Sequence, residues 1–296
     1  MAAIGRRASP LGPSKPQRWE ARVVTLPETS ETRLPSARSD PAPLFAADGV
    51  TVRFGGLVAL DDVSLAAQPH EVHGVIGPNG AGKTTFFNVC CGFVRPDTGT
   101  LWWRGEPVPA LRPAQLAGMG IARTLQGLGL FAGLTVAENV MVGADRFRRT
   151  GFASALFALP RAGADERRLR ERAAAAMREV GVEDYAARHP GSLPYPVRKR
   201  VALARALAAD PELLLLDEPA SGLGADDMAE LGELVRALTE RMTVILVDHH
   251  MDLVMSVCDR ITVLDFGRVV AEGSPAQVRD DPAVIDAYLG EEARHG

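Results

Sequence analysis

At 296 residues with 46% apolar content, the chain can bury a substantial core, in one large domain or two modest ones. Its formal charge of -4 and pI near 5.9 argue against a general nucleic-acid binder, which needs a basic excess to neutralise phosphates, so no nucleic-acid partner is expected. No apolar run reaches the roughly 18–20 residues of a membrane-crossing helix, the longest being short segments such as Leu213 to Leu216.

The amino terminus, MAAIGRRASPLGPS, has arginines but lacks the continuous apolar stretch of a secretory signal, so a cytoplasmic location is expected. Residues 1–43 hold seven of the 21 prolines and show no sustained periodicity, the signature of a disordered tail. Folded sequence is expected from Leu44. Three apolar runs, Glu71 to Ile76, Glu212 to Glu218 and Thr243 to His250, read as central strands of an α/β sheet whose carboxyl ends face a ligand crevice. Cys90 and Cys91, with Cys258, lack metal-ligand spacing and read as reduced core residues. Between about residues 127 and 200 the pattern is helical, including Ala164 to Val182, and reads as a helical subdomain inserted into the sheet domain. Its arginines 167, 168, 170 and 172 could face an anionic partner, but the Glu166–Arg170 spacing favours a solvated, salt-bridged face.

Two elements carry chemistry. The first, GPNGAGKTT, runs through Gly77, Pro78, Asn79, Gly80, Ala81, Gly82, Lys83, Thr84 and Thr85 and follows an apolar strand, as a phosphate-binding loop must. Gly80 and Gly82 allow the tight turn that aims backbone N–H groups at a β-phosphate, and a helix starting near Lys83 adds its positive dipole end. Lys83 is expected to bridge β- and γ-phosphates of ATP, and Thr84 to ligate Mg2+. The second element, LLLLDEP, ends an apolar strand in Asp217 and Glu218, the Walker B pattern. Asp217 is expected to hold Mg2+ through water and Glu218 to polarise the attacking water.

With a helical stretch separating these two elements, the sequence from Leu44 to Glu292 resembles the ATP-binding cassette (ABC) family. The resemblance implies an α/β P-loop fold with a mixed sheet core and the helical insertion, in a nucleotide-binding domain over residues 44–292. It also implies minor roles. Phe54, in Arg53-Phe54-Gly55, matches the aromatic loop that stacks on adenine, although alone it reads equally as a core residue. Gln126 matches the glutamine that touches Mg2+ and the attacking water and senses the membrane subunit. His249 matches the switch histidine that hydrogen-bonds the γ-phosphate. RFGGLVALDDVSL, LFAGLTVAENVMVGA, DEPASGL and VIDAYLGEE narrow the resemblance to the cassettes of branched-chain amino-acid importers. Such a subunit sits on the cytoplasmic face of the membrane, bound to two permease subunits and paired head to tail with a second cassette, while an extracytoplasmic solute-binding protein delivers the solute. The rival reading, a non-transport regulatory nucleotide-binding module, finds little support, since the chain has neither a second nucleotide domain nor a long coiled-coil insertion.

The sequence departs from the family at the signature motif, commonly LSGGQ, which here reads LPYPV over Leu193 to Val197. Pro196 stands at a glycine position and Pro194 at a serine position, and each lacks an N–H to offer the partner's γ-phosphate. Proline is also favourable in the first helical turn, so either an impaired or a competent signature follows from the residues. With an intact hydrolytic set, Lys83, Thr84, Gln126, Asp217, Glu218 and His249, beside an unusual signature, a heterodimer with a different cassette is favoured. SGLG over Ser221 to Gly224 lacks the usual Asp or Asn of the segment that communicates across the dimer, and Asp248 and His250 read as variations around His249.

Overall fold

The computed structural model describes residues 42–124, 128–148 and 160–295, all within the unit Asp40–Gly296. The tail expected over residues 1–43 thus lies, up to residue 41, outside the described residues. Strands β1 (Phe45–Phe54), β2 (Leu57–Ala67), β4 (Thr98–Trp103) and β5 (Glu106–Val108) form a four-stranded antiparallel sheet in the order β2-β1-β4-β5. A second sheet has the order β10-β9-β3-β8-β7-β6, built from β3 (Val72–Ile76), β6 (Ile121–Arg123), β7 (Leu213–Asp217), β8 (Thr243–Val247), β9 (Arg260–Asp265) and β10 (Arg268–Gly273). Its strands are parallel except for β10, which turns back on β9.

The parallel strands read as unbroken apolar runs because both faces of the sheet are covered. Leu214 and Leu216 of β7, with Val244 and Leu246 of β8, enter a core shared with helices α4 (Pro160–Glu179), α5 (Tyr195–Leu207), α6 (Ala225–Leu238) and α7 (Met251–Val257). Their neighbours Leu213, Leu215, Ile245 and Val247 face the other way, against Phe86 and Phe87 of α1 (Lys83–Cys90) and the antiparallel sheet. Each fully buried leucine of β7 contributes about 1.5–3 kcal/mol. The three cysteines are free and buried in these cores, and burial pushes the Cys91 and Cys258 thiols up to about 11 and about 12. Short helices α2 (Pro113–Met119), α8 (Pro275–Arg279) and α9 (Pro282–His295) complete the described chain with α3 (Val136–Gly143).

The expected strands over Glu71–Ile76 and Glu212–Glu218 shorten to Val72–Ile76 and Leu213–Asp217, by one residue at one end and at both ends respectively, and two boundaries move further, each for a local reason. Strand β8 ends at Val247 rather than His250, because the Asp248 carboxylate accepts hydrogen bonds from the His249 and His250 N–H groups and turns the chain. Helix α4 stops at Glu179 rather than Val182, where Gly181 takes φ +67° and the Val182 N–H closes back on the Met177 carbonyl. The Glu166–Arg170 pair does form on its exposed face, at 2.5 Å.

Between β6 and β7 the described elements are helical, and α3 packs against α5 at backbone distance. Gly143 makes this possible: its φ of -63° suits any residue, but a Cβ there would lie 1.8 Å from the Arg205 carbonyl oxygen. Gly143→Ala is therefore expected to destabilise the fold by about 1–3 kcal/mol, read as a lowered midpoint in urea denaturation.

Candidate functional site

Pairing fixes where the chemistry gathers. Val75 of β3 and Asp217 of β7 both lie opposite Val247 of β8, so β7 and β8 end level, β3 ends one residue further on, and the residues that follow share one sheet edge. Those residues are Gly77, Glu218 and the Asp248–His250 turn. They come from three distant stretches of sequence.

The phosphate loop fits its place through missing side chains. A Cβ on Gly77 would lie 2.1 Å from the Leu264 carbonyl oxygen, and one on Gly82 would lie 2.7 Å from that of Ala59. Gly80 turns at φ +79°, facing open space. Pro78 and Ala81 are buried whereas Asn79 and Gly80 are exposed, and the loop is braced from outside by the Gly267 N–H donating to the Ala81 carbonyl at 3.0 Å. Helix α1 begins at Lys83 with Thr84 exposed and Thr85 half-buried on its first turn. The Lys83 ammonium is buried and donates to the carbonyls of Gly77 at 2.6 Å and Pro78 at 2.8 Å, which holds it within the loop's own concavity.

At the end of β7, burial and the adjacent Glu218 carboxylate raise the Asp217 carboxyl to about 6, against the lowering influence of Arg123. Two neighbouring carboxylates at a strand end have the chemistry to hold a divalent cation, and Asp217 and Thr84 are the described residues expected to take Mg2+. Glu218 adopts φ +46°, a left-handed backbone that costs a non-glycine residue roughly 1–3 kcal/mol. Its N–H is taken by the Val247 carbonyl at 2.7 Å. The His249 ring is half-exposed, with Nδ1 3.9 Å from Glu218 Oε1 and 3.8 Å from Asp248 Oδ1, so the imidazole stands beside the carboxylate that it would assist.

Phe54 is 53% exposed at the end of β1, which removes the core alternative and leaves its ring presented to solvent. Gln126 lies outside the described residues, although the flanking segments are anchored. Thr124 Oγ1 accepts from the Asp217 N–H at 3.4 Å, and Arg205 of α5 donates to the carbonyls of Leu128 and Gly129 at 2.9 and 2.6 Å. Buried Asn139 then ties Phe131, Leu134 and Thr135 together through four hydrogen bonds. Sequence reasoning missed Asn139 and Arg205, whose partners are backbone atoms and leave no pattern of their own.

Asp248 was also undervalued as a variation around His249. Fully buried, it accepts from the N–H groups of Ala220, His249 and His250 and from His250 Nδ1, joining the loop after Glu218 to the histidine turn. A buried carboxylate with this many donors is satisfied and rigid. At the signature, α5 starts at Tyr195 with Pro194 as its cap residue and Pro196 inside the first turn. The helix tolerates both prolines, but Pro196 removes one of the N–H groups its start would otherwise expose.

Residues 60–221 match the family described as ABC transporter, and residues 268–294 match one described as branched-chain amino acid ATP-binding cassette transporter. The chain is 41% identical over 251 residues to the high-affinity branched-chain amino acid transport ATP-binding protein LivG of Escherichia coli, covering 84% of this chain and 98% of that one. BraF of Pseudomonas aeruginosa, which carries the same description, matches with the same identity and coverage. Among solved structures, an ATP-binding cassette of an ABC transporter in its ADP conformation superposes with a TM-score of 0.73 at 28% identity, over 85% of this chain and all (100%) of the other.

The raised Asp217 carboxyl gives a pH dependence with a definite sign. It is protonated below about 6 and ionised above, and a cation competes with that proton. Affinity for Mg2+ in the nucleotide-loaded protein should fall about tenfold per pH unit below that point. Calorimetric Mg2+ titrations of wild type and Asp217→Asn in parallel check this, since the variant should lose that part of the profile which the nucleotide's own phosphates do not supply.

Proposed function

Since this chain belongs to the ABC transporter family and is an ATP-binding, ATP-hydrolysing subunit that energises a membrane importer, we propose that it drives uptake of branched-chain amino acids or related small polar solutes. The observation that carries the reading is the single sheet edge where the phosphate loop, Asp217–Glu218 and His249 meet, together with the carboxyl-terminal match over residues 268–294. No described helix is long and apolar enough to cross a membrane, which accords with attachment to the cytoplasmic face through two permease subunits. An extracytoplasmic solute-binding protein completes the assembly.

Each residue has a task in hydrolysis. The loop N–H groups from Asn79 onward and the start of α1 cradle the β-phosphate, and Lys83 leaves its resting carbonyls for the β- and γ-phosphates. Phe54, exposed at its strand end, offers a face to adenine. Thr84 and Gln126, with Asp217 through water, would hold Mg2+, which would supply positive charge against the transferring phosphoryl group. Glu218 takes the proton of the attacking water, and His249 orients the γ-phosphate beside it.

The same set of residues supports a heterodimer. This chain brings a full hydrolytic set for its own ATP but lends its partner a helix start with Pro194 and Pro196. Pairing with a cassette of better signature gives one competent composite site, at Lys83, and one weakened site on the partner.

Two experiments test these proposals in the reconstituted importer. Glu218→Gln should lower ATP turnover and solute uptake about 10²–10⁴-fold while ATP binding persists; retained turnover sinks the assignment of Glu218. Pro196→Gly restores an N–H at the helix start and should raise turnover at the partner's site by about tenfold. An unchanged rate shows the signature to be competent as it stands.

A further inference from the structure

The first turns of α5 and the segment after Asp217 are joined by contacts that none of the motifs requires. Lys199 Nζ donates to the Glu218 carbonyl at 3.0 Å and to the Pro219 carbonyl at 2.7 Å. Four residues before it, the Tyr195 ring lies against Gly222, where an added Cβ would stand 2.9 Å from Cε1, and Gly222 itself sits at φ +74°. One residue after it, Arg200 pairs with Glu230 and, at 3.8 Å, with Asp227 of α6. Reaching the two carbonyls leaves the ammonium half-buried, and that burial lowers the Lys199 pKa against the raising influence of Asp248 and Glu218.

The carbonyls it reaches matter because of the backbone they belong to. Glu218 is a non-glycine residue at positive φ, followed by a proline that further narrows its conformations. A residue in such a conformation stays there only when its surroundings over-determine it. The N–H side is fixed by Val247; the carbonyl side is fixed by Lys199 and by the Ser221 N–H at 3.2 Å.

We infer that Lys199 is a positioning residue for hydrolysis: by capping two consecutive carbonyls it holds the backbone that aims the Glu218 carboxylate, and it joins that carboxylate to the helix start bearing Tyr195 and Pro196. The inference rests on the assignment of Glu218 made above. Its consequence is a link within one chain between the carboxylate that serves its own ATP and the helix start that it lends to a partner's. A shift of α5 that keeps these two hydrogen bonds would move the Glu218 carbonyl with it.

Lys199→Met keeps the length and apolar stem and removes the ammonium, while Lys199→Arg keeps a cationic donor. In the assembled importer Lys199→Met should lower kcat for ATP about ten- to hundredfold with KM nearly unchanged, and Lys199→Arg should recover part of the loss. In a Glu218→Gln background the same change should lower the residual rate no further, because Lys199 acts through that carboxylate. In the isolated full chain, amide hydrogen exchange over residues 218–222 should quicken in Lys199→Met while protected amides within Ala225–Leu238 keep their rates. Unaltered exchange over residues 218–222 overturns the inference, as does an equal proportional fall of kcat in both backgrounds. If turnover proves insensitive to Glu218→Gln, the assignment of Glu218 fails by itself, and the exchange rates still decide whether Lys199 restrains the segment.

Discussion

Parallel pairing of β3, β8 and β7 is the constraint on which the site depends. Val75 and Asp217 both stand opposite Val247, so the hydrogen-bond ladder sets the level at which three chain segments leave the sheet. A slip of one residue in either pairing would move Gly77 or Glu218 along the strand axis by about 3.3 Å and turn the side chains of the slipped strand to the opposite face. The alternating leucines of β7 oppose such a slip, because Leu213 and Leu215 fill one core and Leu214 and Leu216 the other. Packing on both faces thus guards the geometry of a site that lies at the edge.

Around that edge, restraint comes from polar side chains acting on backbone atoms. Asp248 gathers N–H groups from two loops, Lys199 donates to carbonyls of the first of these, just before Ala220, and Arg205 holds the loop that follows Gln126. Lys199 and Arg205 lie on the same helix, so α5 touches the Glu218 backbone near its start and the segment after Gln126 near its end. One helix thus restrains two loops that lie 90 residues apart in the sequence, the segment at 128–129 and the segment at 218–219. These grips are charge-assisted hydrogen bonds, which survive partial exposure better than an exposed ion pair such as Glu166–Arg170.

The phosphate loop and the Asp217–Glu218 pair were legible in the sequence because both are contiguous and chemically constrained: a loop lacking Cβ atoms where Leu264 and Ala59 press on it must be written with glycine. The central strands were legible as apolar runs, to within one residue at the ends of β3 and β7, and the larger shifts fall where Asp248 ends β8 and Gly181 ends α4 through hydrogen bonds and a positive φ. Phe54 was ambiguous, since a lone aromatic at a strand end carries no sign of which way it points. Asn139, Lys199, Arg205 and the full role of Asp248 were illegible. Each binds backbone groups, near in the chain for Asn139 and distant for Lys199 and Arg205, and a backbone group has the same chemistry at every residue, so no spacing or residue type announces the partnership.

The left-handed backbone at Glu218 sets two demands on one position. Glycine or asparagine would sit there with less strain, yet neither carries the carboxylate that the chemistry uses. The sequence that folds best and the sequence that works best therefore differ at this residue. On the role proposed for Glu218, its backbone strain is a cost to folding that only the chemistry of its carboxylate offsets.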